Sequence, residues 1–291
     1  MRGLKRIPLF AAALISSTAL VQAADIIPTP DYTPPPEVVV DITTGWYIRG
    51  DIGYAHMKVD GVDYFQGALL TGSFEQYDLD SSWTLQGGIG YQVTDYMRVD
   101  ATLKHIWGAD FTGSSAPAGS PCNGAFVDTC TYSDDGELEG ATLLMANAYW
   151  DLGTYHGFTP YVGAGIGGAH VKWGDFINDQ TCTGGGACDN EDFIHSGESE
   201  WRFAWAVHAG ASYDIKCDWA LDAGYTYTRI EGGSMFGTGV GGPLSSAPGV
   251  AAGGNGFDGG IDVHEGRVGL RYYLGGCDTP PPYVPPEVVY K

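Results

Sequence analysis

The chain has 291 residues, of which 45 are glycine and 13% aromatic while only 17% are charged, a balance that suits glycine- and tyrosine-rich β structure and excludes a protein built on long helices. Its 14 Lys+Arg stand against 35 Asp+Glu, a net charge of -21, which excludes the basic surface that a nucleic-acid partner requires.

The chain opens with Arg2, Lys5 and Arg6, then an apolar stretch from Ile7 to Val21, then small residues ending Val21-Gln22-Ala23. That is the form of a secretory signal peptide, residues 1–23, cut after Ala23 so that the mature chain begins Ala24-Asp25. No later apolar run approaches the roughly 20 residues of a membrane helix, so a chain that spans a membrane here must do so as a closed barrel. Residues 24–45 form a Pro-rich arm. Its phrase Tyr32-Thr33-Pro34-Pro35-Pro36-Glu37-Val38-Val39 returns in the tail, residues 276–291, as Tyr283-Val284-Pro285-Pro286-Glu287-Val288-Val289. Both read as extended spacers or as arms reaching toward a cell wall.

From Trp46 to residue 275 the pattern has period two. In the segment from Trp83 to Val93 one face reads Trp, Leu, Gly, Ile, Tyr, Val and the other Thr, Gln, Gly, Gly, Gln. The same reading holds for Trp46–Lys58, Tyr96–Trp107, Ala141–Leu152, Pro160–Val171, Arg202–Ile215, Trp219–Arg229 and Asp262–Leu274, which makes eight candidate strands. The connections near Thr94-Asp95, Gly153–Phe158 and Lys216–Asp218 are short, whereas the other four run about 20 to 30 residues. Alternating short turns and long loops predict an all-β fold: an eight-stranded antiparallel transmembrane barrel with periplasmic turns, extracellular loops and both termini in the periplasm. Trp46, Trp83, Tyr91, Tyr96, Trp107, Trp150, Trp173, Trp201, Tyr213, Trp219, Tyr227 and Tyr272 sit at strand ends and fit interfacial girdles.

The inward faces carry Arg49, Asp51, Arg98, Asp100, Lys104, Asp151, Arg202, Asp222, Glu265, Arg267 and Arg271, with both signs present. Eight strands leave an interior that side chains just fill, so these residues predict an ion-pair network that plugs the lumen, with a channel lining as the alternative. The long connections hold no Lys or Arg between Val59 and Ser81, Ala109 and Glu139, Trp173 and Trp201, or Ile230 and Ile261, but 20 acids, Asp134, Glu200 and Asp258 among them. An anionic exterior either recruits divalent cations and basic proteins or is a solvated, repulsive surface.

All six cysteines lie in the exported part and read as disulfides. Cys122 with Cys130 and Cys182 with Cys188 would each close a short loop, and Cys217 with Cys277 would join the ends of the last hairpin. The glycine patterns Gly163-x-Gly165-x-x-Gly168 and Gly237-x-Gly239-x-x-Gly242 open no helix, so they predict a tight turn or close backbone approach rather than nucleotide binding, with the small inward residues of the fifth strand making room for bulky Arg and Tyr opposite. The histidines show no metal-ligand spacing, and neither cofactor nor metal is expected.

Three stretches carry a family resemblance: Asn147-Ala148-Tyr149-Trp150-Asp151-Leu152-Gly153, the run from Phe158 to Gly167, and Arg267-Val268-Gly269-Leu270-Arg271-Tyr272-Tyr273-Leu274. The chain resembles the small outer-membrane β-barrel surface-antigen family of alphaproteobacteria, which is related to opacity proteins and often labelled porin-like. The resemblance implies a Gram-negative outer-membrane location, contact with outer-membrane lipid and lipopolysaccharide, and insertion by the barrel-assembly machinery. That machinery would read Arg267, Gly269, Tyr272 and Leu274 as its signal, although Leu274 stands where such chains usually end in Phe. Some members of the resembled family attach to peptidoglycan through a start matching Ala24-Asp25. The implied role is structural and surface-interactive: envelope integrity, with loops as adhesin or antigen. A narrow porin for small polar solutes is the rival. A lipid A-modifying enzyme is a further one, for which His195-Ser196-Gly197-Glu198 offers the residue types but not the spacing.

Overall fold

The computed structural model describes residues 45–66, 70–122, 125–183, 192–240 and 255–274. The signal peptide, both Pro-rich arms, Ala24, Asp25, Cys188 and Cys277 lie outside the described residues, and at Cys122, Cys130 and Cys182 only the backbone is described.

Twelve strands join in one antiparallel sheet: β1 (Trp46–Val59), β2 (Val62–Gln66), β3 (Leu70–Leu79), β4 (Ser82–Thr94), β5 (Met97–Cys122), β6 (Ala125–Asp151), β7 (Phe158–Trp173), β8 (Phe176–Thr183), β9 (Asp192–Gly197), β10 (Ser199–Lys216), β11 (Trp219–Val240) and β12 (Gly256–Tyr273). Eight of them, in the order β1-β4-β5-β6-β7-β10-β11-β12, pair each with the next, and β12 pairs back onto β1 from Tyr47↔Tyr273 to Val59↔Ile261. The ring is closed by backbone register and leaves no free edge. The turns at one end are tight. In the β6–β7 connection Tyr155 and Phe158 exchange both backbone hydrogen bonds, at 2.8 and 3.0 Å, around His156 and Gly157 at φ 54° and 81°. Two left-handed residues are what a type I′ hairpin needs, and Gly157 supplies one of them without strain.

At the other end the expectation of long loops is corrected. β5 and β6 run 26 and 27 residues, more than twice the roughly ten of a membrane-crossing strand. Beyond the first ring, β5-β3-β2-β12-β11-β9-β8-β6 close a second ring of eight, so twelve strand segments stand where eight were expected. Polar breakers such as Asp60-Gly61, Asp80-Ser81, Gly174-Asp175 and Glu198 read as loop starts, but each is a single step in a continuing ladder. Asp60 N–H bonds Gly260 O at 2.8 Å, Asp80 N–H Asp110 O at 3.0 Å, Gly174 N–H Glu137 O at 2.8 Å and Glu198 N–H Met235 O at 3.0 Å. The continuous neighbours β5, β6, β11 and β12 thus carry the register across every break.

Side chains alternate across the wall. Outward on β1 stand Trp46, Ile48, Ile52 and Tyr54, each at least 45% exposed, and inward stand Tyr47, Arg49, Asp51, Ala55 and Met57, all buried. The outer wall is apolar around the ring and bounded by aromatic rows, with Trp46 against Tyr91 (5.3 Å between ring centroids) near the short turns and Tyr54 against Trp83 (5.2 Å) above. Trp46 and Tyr54 are eight positions apart, about 26 Å along the strand and roughly 20 Å along the axis of a barrel with tilted strands, close to the height of an apolar transmembrane band. Trp173, expected in a girdle, is 2% exposed because it shares the inward phase of Ala169 and Val171 on β7.

Inside, the lumen has two zones. Apart from Arg202 with Asp258, and Asp134, the buried charged groups occupy the half nearer the short turns. The far half is a hydrophobic core that includes Met57, Val59, Phe74, Ile106, Phe111, Leu138, Trp173, Phe176, Met235, Phe236 and Ile261, continuous from the first ring into the second.

Candidate functional site

The inward phase of the strands brings the eleven charged residues singled out from sequence into the lumen, all of them buried. Asp51 is the hub of the network: its carboxylate accepts from Arg49 at 2.7 and 2.9 Å, from Arg267 at 2.6 Å and from Gln86 at 3.2 Å. Asp100 accepts from Arg49 at 3.1 Å, Asn147 at 2.7 Å and Tyr47 at 3.2 Å. Arg271 pairs with Asp222 at 2.6 Å and Arg98 with Asp151 at 3.0 Å, and Lys104 pairs with Glu265, which also accepts from Thr84. Opposite charges thus meet at hydrogen-bonding distance, the geometry that offsets the cost of taking both out of water.

Arg98 shows what the charges alone did not indicate. Its Nη1 and Nη2 find no acceptor among the described residues, yet its guanidinium lies 4.6 Å from the Tyr149 ring and 4.4 Å from the Tyr161 ring. The two aromatic faces hold the cation where acceptors are missing. Small inward residues make room for these rings. A Cβ at Gly163 would lie 2.5 Å from Tyr149 Cδ1, and one at Gly269 would lie 2.3 Å from Asp51 Oδ1. Tyr47, Tyr149, Tyr161, Asn147, Gln86 and His208 share the inward phase and belong to the network. Charge alone does not mark them, although the same alternation does.

Arg202 stands apart, toward the far end. It donates to both Asp258 oxygens at 2.8 and 2.7 Å, to Glu200 at 3.2 Å and to the Ser234 carbonyl at 2.6 Å. Two residues counted in the anionic exterior, Asp258 and Glu200, are therefore committed to Arg202, and Asp134 is also buried. The far-end exterior keeps its acidic character through exposed residues such as Asp60, Asp78, Asp110, Glu137 and Asp179.

Asp134 Oδ1 accepts from Asn178, while Oδ2 has no partner among the described residues. Burial pushes its carboxyl up to about 6, an effect the Asn178 amide reduces and Asp135 reinforces. Between its ordinary value of 3.8 and this one the folded chain holds a proton that the unfolded chain releases, so the group's contribution to stability falls as pH rises through that window. Asp134→Asn is expected to flatten this dependence and to add up to about 3 kcal/mol at pH 8 but little near pH 4. Urea midpoints of detergent-folded protein at both pH values check it, and a wild-type midpoint at pH 8 in the variant would refute it.

His195 and Ser196 do not form a relay. His195 faces inward, its ring 5.0 Å from that of Phe236 and its Nδ1 3.1 Å from the Gly237 carbonyl, whereas Ser196 is exposed on the opposite face of β9. In the terminal strand Arg267 and Gly269 point inward, Tyr272 stacks on Trp219 at 4.8 Å, and Leu274 N–H bonds Trp46 O at 2.8 Å where the last strand meets the first.

The register places two of the cysteines opposite each other. Cys130 on β6 is the direct partner of Cys182 on β8, and Cys122 stands opposite Ala125. Direct antiparallel partners have Cα atoms about 4.5 to 5.5 Å apart, within disulfide range. The register therefore admits a Cys130–Cys182 bond tying β6 to β8, as an alternative beside the two loop closures read from the sequence. Peptide mapping without reductant checks it, and a Cys182–Cys188 peptide would refute it.

Residues 10–273 match the family model of the outer membrane protein beta-barrel domain. A protein of Brucella suis biovar 1, described as uncharacterized, is 33% identical over 276 residues, covering 89% of this chain and 94% of its own. The outer membrane protein PagN of Salmonella typhimurium is 29% identical over 63% of this chain and 73% of its own. A Rickettsia felis protein described as a candidate adhesin is 29% identical over 46% of this chain and 53% of its own.

Proposed function

The chain belongs to the family of outer membrane protein beta-barrel domains, and from that premise we propose a structural, surface-interactive protein of the Gram-negative outer membrane whose far-end ring faces outward as adhesin or antigen. The observation that carries this reading is the second ring itself: the barrel continues past its apolar band as a closed, ordered sheet with an acidic exterior. A rigid platform lifted above the lipid presents side chains to a partner at lower entropic cost than a loose loop does. In this reading the short turns and both termini are periplasmic, the chain catalyses no reaction, and lipopolysaccharide and the barrel-assembly machinery are its envelope partners. The names given to PagN and to the Rickettsia felis protein support a surface role.

The lumen favours closure over conduction, because a charged zone whose groups pair with one another is stacked on a packed apolar zone. Bacteria displaying the protein should adhere to host cells, and changing Asp78, Asp110, Glu137 and Asp179 to amides together should reduce adhesion severalfold while leaving heat-shifted electrophoretic mobility intact. Unchanged adhesion would remove the acidic ring from this reading, and steady single-channel conductance in planar bilayers would replace closure with a pore. Wall attachment through Ala24 rests on the resemblance. Purified sacculi boiled in detergent should retain the wild type and lose the Asp25→Lys variant; equal retention of both would remove the tether.

A further inference from the structure

Among the described residues, the outer face of the far-end ring is polar except at one place. Ile177 on β8 and Ile194 on β9, exposed at 44% and 46%, are the two large apolar side chains that stand in the open there among the described residues. They are direct cross-strand partners, so their Cβ atoms lie about 5 Å apart and make one patch. Ile177 is also the register partner of Asp135 on β6. Asp175 and Asp179 lie two positions to either side of Ile177 in the same outward phase, and Glu198 lies in the phase of Ile194; all four carboxylates are exposed. No Lys or Arg occurs between residues 174 and 200.

The patch does not belong to the lipid band. His170, packed against Trp201 in the upper girdle, lies seven residues before Ile177, which places the pair roughly 15 Å beyond the girdle. Nor does the core need these side chains, because Phe176 and His195 already face inward beside them. At Ile177 and Ile194 the strands are paired on both sides, Ile177 with Asp135 and Ile194, and Ile194 with Ile177 and Val240, so the backbone there is committed and a partner must be held by side chains.

We propose that this face of β6, β8 and β9 docks a cationic amphipathic protein segment, its apolar side chains over Ile177 and Ile194 and its Lys or Arg on the surrounding carboxylates. The proposal rests on the outward orientation of the far end and specifies where on that end a partner sits. A patch this small makes a weak contact, and the field of the acidic ring supplies the encounter rate.

The probe is a synthetic peptide of alternating leucine and lysine, compared with an oligolysine of equal charge, against protein folded in zwitterionic detergent and corrected for empty micelles. The Leu-Lys peptide should bind at least fivefold tighter than oligolysine, and Ile177→Ser with Ile194→Ser should abolish that difference while heat-shifted mobility stays unchanged. Asp135→Asn with Asp179→Asn should weaken both peptides and lower the salt dependence. Equal binding of the two peptides, or undiminished preference in the double serine variant, would overturn the docking face. Labelling of Ile177→Cys by a membrane-impermeant maleimide on intact cells tests orientation separately: labelling with failed docking removes this face alone, and no labelling removes the outward reading beneath it.

Discussion

Replacing Asp51 with alanine is expected to cost the barrel about 3 to 5 kcal/mol, the range for removing one partner of a buried charge pair. Two guanidiniums depend on that carboxylate, Arg49 at 2.7 Å and Arg267 at 2.6 Å, and both are buried. Arg49 would keep Asp100 and Tyr149, and Arg267 would keep Tyr161 and Thr226, so the variant should fold but unfold at a clearly lower urea concentration. Asp51→Asn retains an acceptor for one cation and should fall between. Midpoints of detergent-refolded protein followed by far-ultraviolet dichroism give the comparison, and an unchanged midpoint for Asp51→Ala would mean that Arg49 and Arg267 are solvated rather than buried.

The second large effect lies at the other end of the lumen. Trp173→Ala should cost about 3 to 5 kcal/mol, because a wholly buried indole would leave a cavity between rings that meet it at 6.0 Å, those of Phe111 and Phe176. The loss should concentrate in the second ring, which this core fastens to the first. Limited proteolysis should therefore cut within residues 174–200 in the variant well before the membrane barrel loses its heat-shifted mobility. Trp173→Phe is expected to recover most of the stability, because the indole Nε1 finds no acceptor among the described residues and losing its N–H leaves no partner unpaired. Equal protease resistance of Trp173→Ala and wild type would show that the second ring stands without this core.

Alternation along the chain was enough to identify the wall and its contents. A strand turns successive side chains to opposite faces whatever its neighbours are, so Arg49, Asp51, Arg98 and Arg271 could be assigned to the lumen, and Ile48, Leu85 and Val268 to the lipid face, from phase alone. The short turns were legible for the same local reason, since His156-Gly157 adopts its hairpin conformation without distant help. Which residues meet was not legible. Asp258 with Arg202, Cys130 opposite Cys182, and Trp173 among Phe111, Phe176 and Phe236 depend on register between segments distant in sequence. Asp60-Gly61 and Gly174-Asp175 show why the second ring reads as loops in the sequence. Polar breakers end a strand when only the chain's own propensity is weighed, but a continuous neighbour whose carbonyl waits at 2.8 Å makes it more favourable to step across the break than to leave the sheet. Local sequence thus determines which face a residue takes. Ladder bonds to other strands decide how far each strand runs and what its side chains touch, because those partners exist only once the ring has closed.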